Sequence, residues 1–286
     1  MPAPRLIARC ASLLLLGIAA SCAPEPPARL HPVFYASFDA GLSADIAAGD
    51  SVLYVAPTPD ALDAREPLST GNPLARRVPG GRAGHALRVA SDWNPVVLYR
   101  AAGNVPYAAS DWSGTFSLWL KVDPETGLAP GYSDPFVVTD KNWDDAALYV
   151  DLTQDDVPRH FRFAAFADKA VWNPEQIPWD DIAPAMRPMI DVADPPFSGD
   201  AWTHIALVFE QLNTGGGQIT GYLNGRPVGS LEGRDLRLTW DLDRAVMLLG
   251  RHYTGLIDEV AVFDRALEAG DIQTLYEQPA SDLFRP

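Results

Sequence analysis

Cysteine is almost absent from the chain, and this scarcity limits how the fold is stabilised. The 286 residues contain 2 cysteines, Cys10 and Cys22, both close to the amino terminus. The remainder of the chain therefore has no pair of cysteines with which to form a disulfide. Its stability must come from a packed core, with a metal ion as one further source.

The sequence also lacks an apolar run at its amino terminus that is long enough to remain in a membrane. The stretch from Ala11 to Ala20 is shorter than the roughly 20 residues that a membrane-spanning helix needs. Arg5 and Arg9 precede it, and small residues follow it up to Cys22, which is the order typical of a secretory signal. We therefore predict that residues 1–22 are an export signal.

The end of this signal resembles the lipobox of bacterial lipoproteins, in which the cysteine sulfur receives a lipid. The resemblance rests on Ala19, Ala20, Ser21 and Cys22, which residues 23–32 follow as a Pro-rich tether. It implies lipidation at Cys22, membrane attachment through the lipid anchor alone, and a location at the outer membrane or cell surface. The alternative is ordinary signal cleavage, with Cys22 removed or left as a thiol.

Basic residues are few relative to acidic ones. The chain has 22 Lys and Arg against 37 Asp and Glu, a formal net charge of −15. Nucleic acid and anionic lipid surfaces are poor partners for a chain of this charge. Calcium and neutral glycans suit it better.

Alternating apolar runs between turn signals predict a fold made of β-strands. In residues 115–122, Phe116, Leu118 and Leu120 share one face of the predicted strand, because side chains alternate with a period of two. The other runs occupy residues 33–38, 51–56, 85–90, 95–101, 136–139, 147–152, 161–167, 203–210, 218–225 and 245–250. We predict one domain over residues 33–286, since nothing resembling an interdomain linker follows Pro32.

Two local structures are predicted most directly. Asn224 and Gly225 match a two-residue hairpin turn in which both central residues need positive φ. A short helix is predicted after Leu267. Asp271 lies near its start, and the apolar residues that follow recur at spacings of three and four.

One segment, residues 168–200, departs from the strand pattern. It is rich in Pro and Asp and contains Trp172 and Trp179. A loop of this length inside a compact domain is usually functional or disordered, and its aromatic residues argue against simple disorder.

Several of these runs, taken in order, resemble the laminin G-like or concanavalin A-like jelly-roll domains of bacterial extracellular proteins. The matching residues are 84–90, 115–123, 201–210 with 217–230, and 248–277, which ends in LIDEVAVFDRALEAGDIQTLYE. The resemblance implies an all-β fold: a two-sheet antiparallel sandwich with a short C-terminal helix. It also implies that the first and last strands lie together, with residues 38–40 near residues 256–260.

The same resemblance implies a structural calcium ion near the joined ends of the domain. Asp39 and Asp258 are the candidate ligands, with Asp45 and Asp50 as weaker candidates, because calcium prefers carboxylate and carbonyl oxygens. The alternative is that Asp258 caps a backbone turn and that Glu259 faces water.

Relatives of this architecture include glycoside hydrolases, so an enzyme is one hypothesis. The Glu-x-Asp-x-x-Glu pattern of its glucan-cleaving members is absent, as are a nucleophile elbow, zinc-binding His spacing and a phosphate loop. We therefore expect no catalytic residues and a protein that is not an enzyme, while a glycoside hydrolase-like activity stays as the less favoured alternative.

Tryptophan beside carboxylates in predicted loops indicates carbohydrate binding. An indole face stacks on sugar C–H groups while Asp oxygens accept hydrogen bonds from hydroxyls. The candidate ligand-binding residues are Trp143, Asp144, Trp172, Trp179 and Asp180. We predict a non-enzymatic lipoprotein that binds a glycan at the cell envelope.

Two alternatives to this prediction remain open. These tryptophans could pack inward and fasten the long segment to the sheet. Apolar residues of the segment, Ile177, Met186 and Met189, could instead contact another protein, in a structural or adhesion module of the envelope.

Overall fold

The computed structural model describes residues 30–154 and 156–284. The predicted signal, the lipobox-like Cys22 and most of the predicted tether lie outside these residues. The described chain forms two antiparallel sheets packed face to face, as the resemblance to jelly-roll sandwiches implies. Among the described residues, no helix is long and apolar enough to span a membrane.

One sheet has nine strands and contains the first and last strands of the domain. Its strands are β1 (Phe34–Ala36), β2 (Ile46–Ala47), β5 (Ala75–Pro79), β6 (His85–Ala90), β8 (Trp112–Lys121), β13 (Thr203–Leu212), β14 (Gln218–Leu223), β15 (Arg226–Leu231) and β17 (Thr254–Phe263). Phe34 of β1 pairs with Val262 of β17, so that the two ends of the domain close the sheet together. This confirms the predicted proximity of the first and last strands.

The other sheet has eight strands and carries the long segment on its outer face. Its strands are β3 (Tyr54–Ala56), β4 (Glu66–Pro67), β7 (Val96–Arg100), β9 (Ser133–Asn142), β10 (Asp145–Leu152), β11 (Phe161–Phe166), β12 (Met189–Val192) and β16 (Val246–Arg251). The strand order is β12-β11-β10-β9-β16-β7-β3-β4, so β9, β10 and β16 are central.

The alternation of side chains fills the space between the sheets. Phe116, Leu118 and Leu120 of β8 all lie in the central core, as the period of two predicts. They meet residues of the second sheet such as Phe136 and Leu148. Burial of this apolar surface supplies the main stabilisation of a domain without disulfides.

Both sheets are also covered on parts of their outer faces. Helix α2 (Ala269–Glu277) lies on the nine-stranded sheet and buries Ile272 and Leu275. The helix that the sequence predicts after Leu267 is therefore present. The predicted hairpin turn is present as well, with φ of 48° at Asn224 and 76° at Gly225.

The segment 168–200 is ordered into short elements. It contains helix α1 (Lys169–Trp172), single turns at Trp179–Asp181 and Pro184–Met186, and the edge strand β12. It packs on the outer face of the eight-stranded sheet, where Trp172 and Trp179 contact a cluster that includes Phe166. The last described helix, α3, covers Ala280–Leu283.

Candidate functional site

A cavity of about 350 Å³ lies on the outer face of the eight-stranded sheet, between the sheet and the long segment. Trp179 of the long segment and Trp143 of the β9–β10 turn wall it, together with Trp93 and Tyr132. We call this space the aromatic cavity. Its volume lies in the range of cavities that bury small ligands.

Two of its tryptophans stand at right angles to each other. The ring centroids of Trp143 and Trp179 are 5.2 Å apart with an interplanar angle of 89°. Trp179 also lies under the Arg187 guanidinium, 4.1 Å from its ring centroid, and its indole nitrogen is 3.4 Å from the Tyr132 hydroxyl. These contacts fix one ring of the wall while both rings remain partly exposed.

The floor of the aromatic cavity is charged. Asp151 of β10 and Arg162 of β11 are directly opposed across the two strands. The Arg162 Nε donates to Asp151 Oδ1 at 2.9 Å, and the Nη2 donates to the other carboxylate oxygen. This paired geometry holds both side chains in place under the cavity.

Asp134 and Arg251 lie beside this ion pair, directly opposed across β9 and β16, and the Arg251 guanidinium carbon is 5.4 Å from the centroid of the Trp93 ring. Within residues 30–154 and 156–284, neither side chain forms an ion pair or a side-chain hydrogen bond. Burial, together with the nearby charge of Asp151, raises the pKa of Asp134 to about 7. The cavity therefore offers one carboxyl group that titrates near neutrality and one available guanidinium.

Irregular backbone aims these two side chains outward. Strict alternation would send both Asp134 and Arg251 towards the core, as Phe136 and Leu249 are. The pairing of β10 with β9 shifts register between Val150 and Leu152, because a bulge in β9 that contains Asp134 adds one residue to that strand. In β16 the change comes at Gly250, where φ is +68° and a Cβ would lie 2.7 Å from Val89.

The predicted binding residues fall into two groups. Trp143 and Trp179 line the aromatic cavity together. Trp172 and Asp144 lie behind it: the Trp172 indole donates to the Asp144 carbonyl at 2.8 Å, and Lys169 Nζ donates to the Asp144 carboxylate at 2.6 Å. Asp180 is exposed and is not among the residues that line the cavity.

The sequence interpretation missed Trp93, Tyr132 and four charged lining residues. Asp151 and Arg162 alternate with buried apolar neighbours, so the period of two could have placed them on the outer face. Asp134 and Arg251 gave no such signal, because a bulge and a glycine with positive φ determine their direction.

The candidate calcium ligands Asp39 and Asp258 meet at the turn formed by residues 80–85. Asp39 Oδ1 accepts from the His85 N–H at 2.7 Å, and Asp258 Oδ2 accepts from the Arg82 N–H at 2.6 Å. Asp258 Oδ1 accepts from the Glu259 N–H at 2.9 Å. Asp258 thus binds backbone amides of a turn, as its alternative interpretation anticipates.

The acidic pair in β17 sits at a bulge. The register with β8 shifts between Asp258 and Ala261, and Glu259 has φ of +52°. Glu259 is buried rather than facing water, and the Tyr35 hydroxyl donates to its Oε2 at 2.9 Å. Burial and mutual repulsion raise the pKa of Asp258 to about 9, whereas burial is the main cause that raises that of Glu259 to about 7.

The donor set at this turn fits a cation in part. Among the described residues, the buried Oε1 atom of Glu259 has no hydrogen-bond partner, which makes it a candidate ligand atom for a cation. Asp45 lies near Glu259 and accepts from the Ser37 N–H at 2.7 Å, whereas Asp50 bonds the Tyr54 hydroxyl. No three His, Cys, Asp or Glu side chains of the described chain are arranged to hold a metal ion together.

Comparison with known proteins identifies the fold. The family model described as the concanavalin A-like lectin/glucanases superfamily matches residues 99–273, more than half of the chain. No curated protein sequence matches the chain.

Solved structures of low sequence identity share the fold. Domain 4 of AbnA, a GH43 extracellular arabinanase from Geobacillus stearothermophilus, in complex with arabinotriose, is 18% identical with a TM-score of 0.54, covering 87% of this chain and 100% of that one. The botulinum neurotoxin serotype D binding domain is 10% identical with a TM-score of 0.52, covering 86% of this chain. The matched region is 50% of the length of that binding domain.

Proposed function

The chain belongs to the concanavalin A-like lectin/glucanases superfamily, and from this membership we propose that it is a non-enzymatic module that binds carbohydrate at the cell envelope. The aromatic cavity is the proposed binding site. One observation carries the proposal: two tryptophan rings at right angles stand over a floor of carboxyl and guanidinium groups. Sugars need both features, because their rings present C–H faces for stacking and hydroxyls for hydrogen bonding.

Each lining group has a distinct role in this proposal. Trp143 and Trp179 stack on the sugar ring, the carboxyl group of Asp134 accepts from a hydroxyl, and Arg251 donates to hydroxyl or ring oxygens. The Asp151–Arg162 pair is already satisfied within the sheet, and it keeps the floor rigid. Arabinotriose, which is bound to domain 4 of AbnA, supplies a first ligand to test.

The test is a glycan array with residues 30–286, run in calcium and again in chelator. We expect saturable binding to one sugar class by the folded protein, and loss of that binding in Trp179→Ala. Ile177→Ala is the matched control, because Ile177 lies on the same segment, is 41% exposed and does not line the cavity. Silence of the folded wild type on the whole array would overturn the proposal.

A protein partner is the second candidate function. On the long segment Met186 is 63% exposed and Ile177 is 41% exposed, and exposed apolar side chains of this size favour a protein contact. In a pull-down from envelope extract, this function predicts a partner that wild type retains and Met186→Asp loses. Glycan binding would be unchanged in the same variant, which separates the two functions.

Calcium at the joined ends of the domain is part of the proposal. Asp39 and Asp258 would hold it, and beside them lies the Glu259 Oε1 atom, which has no hydrogen-bond partner in the described part of the chain. The raised pKa values of Asp258 and Glu259 support a cation there, because a positive charge would offset the repulsion between these groups.

The calcium test measures melting with and without chelator. We expect chelation to lower the melting temperature of the wild type and to have no effect on Asp258→Ala. Asp39→Asn provides a second variant if Asp258→Ala does not fold. Equal melting of the wild type under both conditions would remove the metal from the proposal.

Export and lipidation at Cys22 complete the proposal and rest on the sequence pattern of residues 1–22 alone. Cells that express the wild-type chain in labelled palmitate should yield labelled protein in the membrane fraction. Cys22→Ser should yield no label. Label in both proteins, or in neither, would exclude a lipid anchor at this residue.

A further inference from the structure

A second cavity, of about 510 Å³, adjoins the aromatic cavity on the same face of the sheet. Asn142, Trp143 and Arg251 line both cavities, so the two spaces meet along these three side chains. Polar groups dominate the second space, including Asp140, Lys141 and Arg244. We call it the polar cavity.

The polar cavity contains polar atoms that the fold leaves unpaired. Asp140 is 7% exposed, and its Oδ2 accepts from the Asp241 N–H at 2.8 Å. Within residues 30–154 and 156–284, its Oδ1 has no hydrogen-bond partner, and neither has the Nε of Arg251 at the junction of the cavities. Buried polar atoms are usually satisfied, so an unpaired acceptor and an unpaired donor beside one cavity point to a ligand that supplies both kinds of group.

The two cavities differ in what they bind well. The aromatic cavity offers ring faces, whereas the polar cavity offers hydrogen-bonding side chains and the exposed guanidinium of Arg244, which forms an ion pair with Asp60 at 3.4 Å. Sugar units of one chain can use both environments, because each unit has C–H faces and hydroxyls. A cavity pair of this size exceeds what a single sugar ring fills.

We infer that the aromatic and polar cavities form one continuous trough for a linear oligosaccharide, in which one sugar unit stacks on Trp143 and Trp179 and the next units bond to residues of the polar cavity. Arg251 and Asn142 contact the linkage between them. This inference rests on the proposed carbohydrate-binding function and specifies its ligand as a chain rather than a single sugar.

The test measures affinity by calorimetry for sugar series from the monosaccharide to the pentasaccharide. The series are arabinose, β-linked glucose, galactose and mannose oligomers. We expect wild-type affinity to rise about tenfold from the monosaccharide to the trisaccharide in the series that binds, because new charge-assisted hydrogen bonds form in the polar cavity. Arg244→Gln should reduce this gain and leave monosaccharide affinity unchanged.

Two further variants provide a second measurement and a control. Asp140→Asn should reduce the same gain, and it provides a second measurement inside the polar cavity. Arg237→Gln is the matched control: Arg237 also forms a surface pair, with Asp235, but does not line the trough. It should bind every length as the wild type does.

The outcomes separate the inference from the function on which it rests. Equal affinity for monosaccharide and trisaccharide, or an equal loss at every length in Arg244→Gln, would overturn the trough and leave carbohydrate binding intact. No binding at any length in any series would overturn the proposed function and the trough together.

Discussion

The outer faces of the two sheets carry similar side chains, but a tryptophan on the nine-stranded sheet is buried, whereas those on the eight-stranded sheet stay partly exposed. On the nine-stranded sheet, Trp119 is 5% exposed, stacks on Tyr276 of helix α2 at 5.8 Å and lies under Arg82 at 4.6 Å. On the eight-stranded sheet, Trp143 and Trp179 stay partly exposed around a cavity. In both places a tryptophan meets an arginine beside a buried titratable group.

The covering element explains the difference. Helix α2 presents Ile272 and Leu275 to the sheet below and closes over it as a packed layer. The long segment reaches its sheet through separate short turns, interrupted by prolines, which cannot form a continuous apolar face. Side chains of the same kind therefore stabilise one face and leave the other available to a ligand.

The largest expected effect lies on the covered face. Trp119→Ala should lower the free energy of unfolding by about 3 to 5 kcal/mol, the cost of deleting a large buried aromatic side chain. Urea denaturation measures the loss. Glycan affinity of the folded protein should not change, and a loss of affinity would show that the two faces are coupled.

The open face should respond in the opposite way. Trp179→Ala should reduce glycan affinity by about thirtyfold or more, as for a residue central to binding, while the free energy of unfolding falls by only about 1 kcal/mol. Calorimetry and urea denaturation measure the two quantities. Unfolding of this variant would identify Trp179 as a packing residue and erase the contrast between the faces.

The buried histidine of the covered face predicts a pH effect on stability. His204 is fully buried, its Nε2 lies 2.9 Å from Ser117 Oγ, and burial lowers its pKa to about 3. The pKa of His204 in the folded protein is below its unfolded value of about 6.5. Its contribution to the free energy of unfolding is therefore fully present above pH 6.5 and is lost as the pH falls from 6.5 towards 3.

His204→Gln isolates that contribution from the carboxyl groups that titrate in the same range. The difference in unfolding free energy between wild type and variant should shrink by about 2 kcal/mol between pH 7 and pH 5. Urea denaturation at both pH values measures it. A difference that does not change with pH would mean that His204 is not held neutral by burial.

The open face predicts a smaller pH effect, on binding. Asp134 should ionise as the pH rises through about 7, the value to which burial raises its pKa. A charged carboxylate accepts stronger hydrogen bonds, so glycan affinity should rise about threefold between about pH 6 and pH 8. Asp134→Asn should bind with no such pH dependence, and an unchanged pH profile in this variant would remove Asp134 from the site.

Regular parts of this molecule follow from local rules. The alternation in β8 placed Phe116 and Leu118 in the core, and Asn224 and Gly225 formed the hairpin turn that their residue types favour. The same rules predicted that Trp143 and Trp179 lie in loops. They did not predict which of the tryptophans in loops would line the same cavity. Trp172 has the same composition of neighbours, yet its indole is used to fasten helix α1 to Asp144.

The sequence by itself determined the class of fold, the strand pattern, the acidic charge and the absence of a disulfide from the described domain, because all of these depend on composition and on spacings of a few residues. Tertiary structure decided the site. A bulge at Asp134 and the positive φ of Gly250 reverse the alternation that would have directed Asp134 and Arg251 into the core between the sheets. Distant segments then meet on one face, and which contacts they make there depends on packing between parts of the chain that local patterns do not relate.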